Sequence, residues 1–271
     1  MIKRVCTFYF TGTDTTKKVV TELANVIAKK LNIDNIFEYN FTTPDMRESM
    51  PEFGKGDLVI AGVPTIAGRV PNLLLPYLNN INAQGAIGVA VGLYGNRNID
   101  DCLMELKELM KNGGMQIIAG GAFIGEHSFS KILGKGRPDE KDMNIIREFG
   151  QKISEKIIKE DYSEPEMVGE LPLRKYYTPR DRFGNGIDIR KVKPVTDTSK
   201  CIDCKKCANL CPMGAIDFED VTKVPGICMK CCACIKKCPT SAKYFDDEGY
   251  LYHQHELEEL YERRAEPEYF V

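Results

Sequence analysis

Cys201-Ile-Asp-Cys204-Lys-Lys-Cys207-Ala-Asn-Leu-Cys211-Pro212 and Cys228-Met-Lys-Cys231-Cys-Ala-Cys234-Ile-Lys-Lys-Cys238-Pro239 are two copies of one pattern. In each, four cysteines are separated by two, two and three residues, and a proline follows the last. The 271-residue chain has eleven cysteines, nine of them between Cys201 and Cys238. The N-terminal apolar run, Val5 to Phe10, is too short for a secretory signal, so a cytoplasmic location is expected. In that compartment a cysteine cluster reads as metal binding, not as disulfides. Zinc usually takes cysteine pairs from two separated knuckles. Three closely spaced thiolates suit three iron corners of a cube, and the fourth iron takes a ligand from elsewhere. The expected cofactors are therefore two [4Fe–4S] clusters on Cys201, Cys204, Cys207, Cys211, Cys228, Cys231, Cys234 and Cys238.

This segment resembles the two-cluster bacterial ferredoxins over about forty-five residues. The resemblance implies crossed ligation. Cys238 completes the cluster of Cys201, Cys204 and Cys207, and Cys211 completes that of Cys228, Cys231 and Cys234. Crossing ties the two halves together, so a segment poor in large apolar residues can still fold. The resemblance also implies one-electron transfer at low potential. Ile202, Ile216, Ile227 and Ile235 are expected to wall the clusters from water. Cys232 lies outside the pattern and reads as a packed or free thiol, whereas Cys6 and Cys102 read as small core residues.

The first 160 residues follow another rhythm. Apolar runs at Val5–Phe10, Ile36–Phe41, Leu58–Val63, Ala86–Val91 and Gln116–Phe123 read as strands. Helical patterns near 15–30, 71–80, 99–112 and 139–159 lie between and after them. Ile145, Ile146, Phe149, Ile153 and Ile157 form one packing face of the last helix. Alternation of this kind predicts a parallel sheet covered on both faces, a doubly wound α/β domain. The expected organisation is a domain over 1–160, a linker over 161–199 broken by prolines, the cluster domain over 200–245, and a helix and tail over 246–271.

The first strand leads into Thr11-Gly12-Thr13-Asp14-Thr15-Thr16, and Lys17 continues into a helix. Such a loop offers free backbone N–H groups, a positive dipole end and hydroxyl donors, which suit a phosphate; a plain helix cap is the alternative. Thr11, Thr13 and Thr16 match the Thr-x-Thr-x-x-Thr form, so the loop resembles the flavodoxin phosphate loop. With Gly121–Ser128 and Tyr177–Arg180, the chain is similar to the flavodoxin–ferredoxin fusion proteins of anaerobic bacteria and archaea. That resemblance implies a flavodoxin-like sheet of order 2-1-3-4-5 and a small α+β ferredoxin-like two-cluster domain. It implies FMN bound by Thr11–Thr16, by Pro64, Thr65, Ile66, Ala67 and Gly68 after the third strand, and by Gly92, Tyr94, Gly95, Asn96 and Arg97 after the fourth.

Asp14-Thr15 stand where such loops usually carry Gly-Asn, and a carboxylate beside a phosphate is repulsive. The chain has no Trp, which leaves Tyr94 as the flavin-stacking candidate or as a packed loop residue. Arg69 and Arg97 are read either as neutralising a reduced flavin or as solvated. His127 is read either as a proton donor or as a hydrogen-bonded loop residue. The basic residues Arg174, Lys175, Arg180, Arg182, Arg190, Lys191 and Lys193 are placed facing the clusters, an acidic partner or solvent.

Thirty-seven basic and thirty-nine acidic residues give a net charge of −2, against nucleic-acid binding, and no long apolar run predicts a membrane span. The leading expectation is an electron carrier passing electrons between the clusters and FMN. It acts with an unidentified redox protein as a monomer or weak homodimer. The alternatives are an FMN-dependent reductase of an organic substrate, and a ferredoxin with a flavin-free docking domain. No Gly-x-Gly-x-x-Gly motif for nicotinamide binding is present.

Overall fold

The computed structural model describes residues 2–271. Five strands, β1 (Arg4–Tyr9), β2 (Ile36–Asn40), β3 (Asp57–Pro64), β4 (Ile87–Tyr94) and β5 (Gln116–Ile124), pair in parallel in the order β2-β1-β3-β4-β5. Side chains alternate across each strand. Val5 and Tyr9 enter one core layer with α1 (Thr15–Leu31) and α4 (Glu140–Ile158). Cys6 and Phe8 enter the other, which α2 (Leu75–Leu78) and α3 (Cys102–Asn112) cover. Helices on both faces explain why the strands are apolar runs and not alternating ones. Ile146, Phe149, Ile153 and Ile157 of α4 all lie in the α1 layer. Cys6 and Cys102 are buried in the opposite layer, where burial pushes both thiols up to about 12.

The helical pattern near 71–80 condenses into a 3-10 turn over Asn72–Leu74 followed by the single turn of α2. Pro71 and Pro76 leave no room for a longer helix. The larger surprise is the tail. After α7 (Glu248–Leu260), residues Glu268–Phe270 form β8, which pairs antiparallel with β5 as a sixth strand. A three-residue strand carries too little periodicity to be read from sequence.

Residues 161–194 contain no regular element, yet the path is fixed. Met167 packs in the core layer of α3. The Tyr176 hydroxyl donates to Val70 O at 3.0 Å, and the Tyr177 N–H to Ala67 O at 2.8 Å. Most of the basic residues here are engaged within the chain. Arg174 pairs with Asp101, Arg182 with Glu259, Arg190 with Asp188, and Lys193 donates to Val224 O.

The cluster segment is an internal duplication with an offset of twenty-seven residues. One-turn helices α5 (Lys206–Asn209) and α6 (Ala233–Lys236) correspond, each preceded by a left-handed residue, Lys205 or Cys232. β6 (Val195–Thr196) and β7 (Lys243–Tyr244) close the segment as a two-stranded antiparallel sheet. Among the described residues no helix is long and apolar enough to cross a membrane.

Candidate functional site

The tight turns of the duplicated repeat bring the cysteines together. Cys201, Cys204, Cys207 and Cys238 share the wall of one small cavity. Burial pushes the Cys228, Cys231 and Cys234 thiols above the ordinary range, and the nearby Cys211 thiol pushes them further. Cys238 thus lies with Cys201, Cys204 and Cys207, and Cys211 lies near Cys228, Cys231 and Cys234. Among the described residues no three His, Cys, Asp or Glu side chains gather at a single-ion site.

The bridging cysteines occupy equivalent settings. Ala215 N–H donates to Cys211 Sγ at 3.3 Å, and Ala242 N–H to Cys238 Sγ at 3.2 Å. Such N–H···S bonds stabilise a ligating thiolate and tune a cluster. Cys232 is buried, and its sulfur lies 3.4 Å from the Tyr250 hydroxyl, packed with Phe245 and Tyr250. Of the four isoleucines expected to shield the clusters, Ile216 is buried. Ile202 and Ile227 stand in solvent, because the loop tips that carry them face outward.

A second, larger cavity of about 780 Å³ lies between the cluster segment and the carboxyl ends of β3, β4 and β5. Thr65, Ile66, Ala67, Gly68, Tyr94, Gly95 and Arg97 line it, as do His127, Tyr176, Tyr177 and His253. Cys228, Met229 and Lys230 form its wall on the cluster side. The cavity therefore touches a candidate iron ligand and the sheet-end loops at once. Its position follows from the doubly wound fold, whose ligand crevices lie outside the carboxyl ends of the strands.

Not all the residues expected at a flavin lie here. Pro64, Gly92 and Asn96 are off the wall. Asn96 instead pins the tail, donating to Tyr261 O and Arg263 O and accepting from Ala265 N–H. Arg69 grips buried Glu105 through two nitrogens at 2.7 and 2.6 Å and lies over the Tyr176 ring. Arg97 pairs with Asp100 and covers Tyr177 at 4.6 Å. Gly95 is required where it stands, because a Cβ there would lie 2.5 Å from the His127 ring.

The Thr11–Thr16 loop is also absent from the wall of the large cavity. A Cβ on Gly12 would come 3.2 Å from Cys231 Cβ, so the cluster segment covers the loop at that point. Asp14, at φ 67, precedes α1 without making a side-chain cap. Its carboxylate instead accepts from Lys237 Nζ at 2.8 Å. Thr16 is buried, and the Thr11 hydroxyl is buried without a partner. The fit to a flavin is thus split: the sheet-end loops and an aromatic wall suit the ring, while the loop expected to hold the phosphate is engaged by the cluster segment.

His127 and His253 are both held neutral at pH 7. Burial, then His253, Lys236 and Arg97, push His127 down to about 3; burial and Arg97 push His253 down to about 4. His253, Tyr176 and Tyr177 carried no site signal in the sequence. They come from the connecting segment and α7, and only the tertiary path brings them to the cavity.

Residues 194–217 match the family model described as a 4Fe–4S binding domain. No curated protein matches the chain. Among solved structures the chain is similar to a flavodoxin from the domain Archaea, at 20% identity over 57% of this chain and 99% of that one, with a TM-score of 0.39. It is similar to oxidised flavodoxin 2 from Bacillus cereus, at 16% identity over 56% and 99%, TM-score 0.42. It is also similar to rubredoxin oxygen:oxidoreductase from the anaerobe Desulfovibrio gigas, at 19% identity over 59% and 37%, TM-score 0.41. One polypeptide thus joins a parallel sheet of order β2-β1-β3-β4-β5, a flavodoxin-like fold, to a segment that matches a 4Fe–4S binding domain.

Proposed function

We propose that the protein is an electron-transfer iron–sulfur flavoprotein in which two [4Fe–4S] clusters exchange electrons with a flavin in the interdomain cavity. One observation carries this reading: Cys228 shares that cavity's wall with the loops after β3, β4 and β5. Cys201, Cys204, Cys207 and Cys238 would hold one cluster, and Cys228, Cys231, Cys234 and Cys211 the other. When bound, the clusters supply one-electron steps and the flavin accepts one or two electrons. The chain would hold donor and acceptor at fixed separation, so transfer would need no encounter. The interdomain contacts, Asp14 with Lys237 and Lys236 with Ser130 O, set that separation. Neutral His127, on the cavity wall, would donate a hydrogen bond to a ring held there.

The test is composition followed by reduction. Protein purified without oxygen is expected to carry about eight irons per chain and to take up one flavin. If added flavin is bound but never reduced through the clusters, the reading fails. A ferredoxin with a flavin-free docking domain is the second reading. It is favoured by the engagement of Gly12 and Asp14 with Cys231 and Lys237. Eight irons with no flavin after soaking would select it.

A further inference from the structure

We propose that the interdomain cavity selects its occupant by the ring alone: it takes a planar heteroaromatic of the flavin type, donated to by His127 Nε2–H, and does not read a terminal phosphate. The inference rests on the flavin reading above and adds to it what is recognised.

The wall is built for a flat ring. Tyr94, His127, Phe129, Tyr177 and His253 line the cavity, with His127 and Phe129 edge to face and Tyr177 6.0 Å from His253. Arg97 covers the Tyr177 ring, so the rings are held in place by one another and by this cation, and a rigid aromatic wall matches a planar ligand better than a branched one. The tautomer of His127 is fixed as well. Its Nδ1 accepts the Phe129 N–H at 3.2 Å, so the proton of the neutral ring sits on Nε2. Nε2 has no hydrogen-bond partner among the described residues, although the ring forms part of the wall. A carbonyl or ring nitrogen of the ligand completes that bond.

The two arginines of the same wall are held by carboxylates. Arg97 is paired with Asp100, and Arg190 with Asp188. Lys230 Nζ is drawn back toward the backbone, donating to Arg190 O at 2.8 Å and Cys228 O at 3.0 Å. Both histidines are neutral. The Thr11–Thr16 loop is off the wall, with Cys231 against Gly12 and an Asp14 carboxylate on its outer side. Near that carboxylate a phosphate dianion meets repulsion.

The experiment is equilibrium dialysis of riboflavin and FMN against the anaerobic holoprotein, at low and high salt. The expected result is dissociation constants within about threefold of one another, with little salt dependence. His127→Phe is expected to weaken both ligands by about tenfold, and His127→Gln, which keeps a donor, to restore most of the loss. FMN binding a hundredfold or more tighter than riboflavin would overturn the inference while leaving electron transfer intact. Equal affinity for wild type and His127→Phe would also overturn it, as would a failure to bind either ligand. Equal binding of the two flavins without reduction through the clusters would instead sink the electron-transfer reading and leave this one standing.

Discussion

His127 shows how one residue joins stability to the site. Its ordinary pKa in an unfolded chain is about 6.5, and the fold pushes it down to about 3. Below pH 6.5 the unfolded chain therefore takes up a proton that the folded chain refuses, and stability falls as the pH falls toward 3. His253, Lys236 and Arg97 face the ring and strengthen that refusal. Between pH 7 and pH 5 the loss is about 2 kcal/mol for this group. His127→Gln removes it, so urea unfolding of the anaerobic holoprotein should fall less steeply in the variant over that interval, by about that amount. Equal slopes would mean that His127 is not buried as described. Asp14 is the converse case, a residue whose sequence reading was incomplete. Its misfit with a phosphate was legible, but its partner was not, because Lys237 lies 223 residues along the chain. Asp14→Gly should change stability by less than about 1 kcal/mol, because relief of the left-handed backbone offsets the loss of an exposed ion pair. Thermal unfolding checks this.

At the scale of elements, the duplicated repeat was the most legible part of the chain, because ligand spacing is local and metal geometry is strict. Crossed ligation makes a sharp prediction. Cys238→Ser should lower iron from about eight to about four per chain. Adding Cys201→Ser should cost nothing more, because both residues serve one cluster, whereas adding Cys211→Ser should remove the rest. Iron and sulfide assays decide it, and a further loss with Cys201→Ser would contradict the assignment. The five parallel strands were legible for a different reason: burial on both faces makes each a continuous apolar run. β8 was not. Its three residues are fixed by a distant partner, with Tyr269 stacked on Phe149 at 5.2 Å and its hydroxyl donating to Glu148. Tyr269→Ala should destabilise the protein by about 2 kcal/mol, read as a lower urea midpoint. The same tail is held by a buried pair, Arg137 with Asp142, in which Arg137 also donates to Ala265 O. Arg137→Met leaves Asp142 with only Arg264 and backbone N–H partners, and should cost about 3 kcal/mol by the same assay.

At the scale of the molecule, three stretches distant in sequence meet at one cavity: the sheet-end loops, the connecting segment and the second cysteine repeat. Thr65–Gly68, Tyr94, Gly95 and Arg97 were placed at the cavity end of the sheet beforehand because the fold class fixes which strand ends carry ligands. The place of His253 and Tyr177 at the cavity was invisible, although Tyr177–Arg180 carried the resemblance, because nothing in their local pattern says what α7 or an irregular segment will cover. Nor did the sequence reveal that the cluster segment would sit on the Thr11–Thr16 loop. That docking puts Cys228 at the cavity, on which the proposed internal electron path depends. The central claim is tested most directly by rapid anaerobic mixing of flavin-loaded protein with a one-electron reductant, following cluster and flavin bleaching together, in wild type and in Cys228→Ser. The account predicts that wild-type flavin bleaches after the clusters and that the variant's flavin bleaches far more slowly. Flavin bleaching at the same rate in both proteins would contradict it.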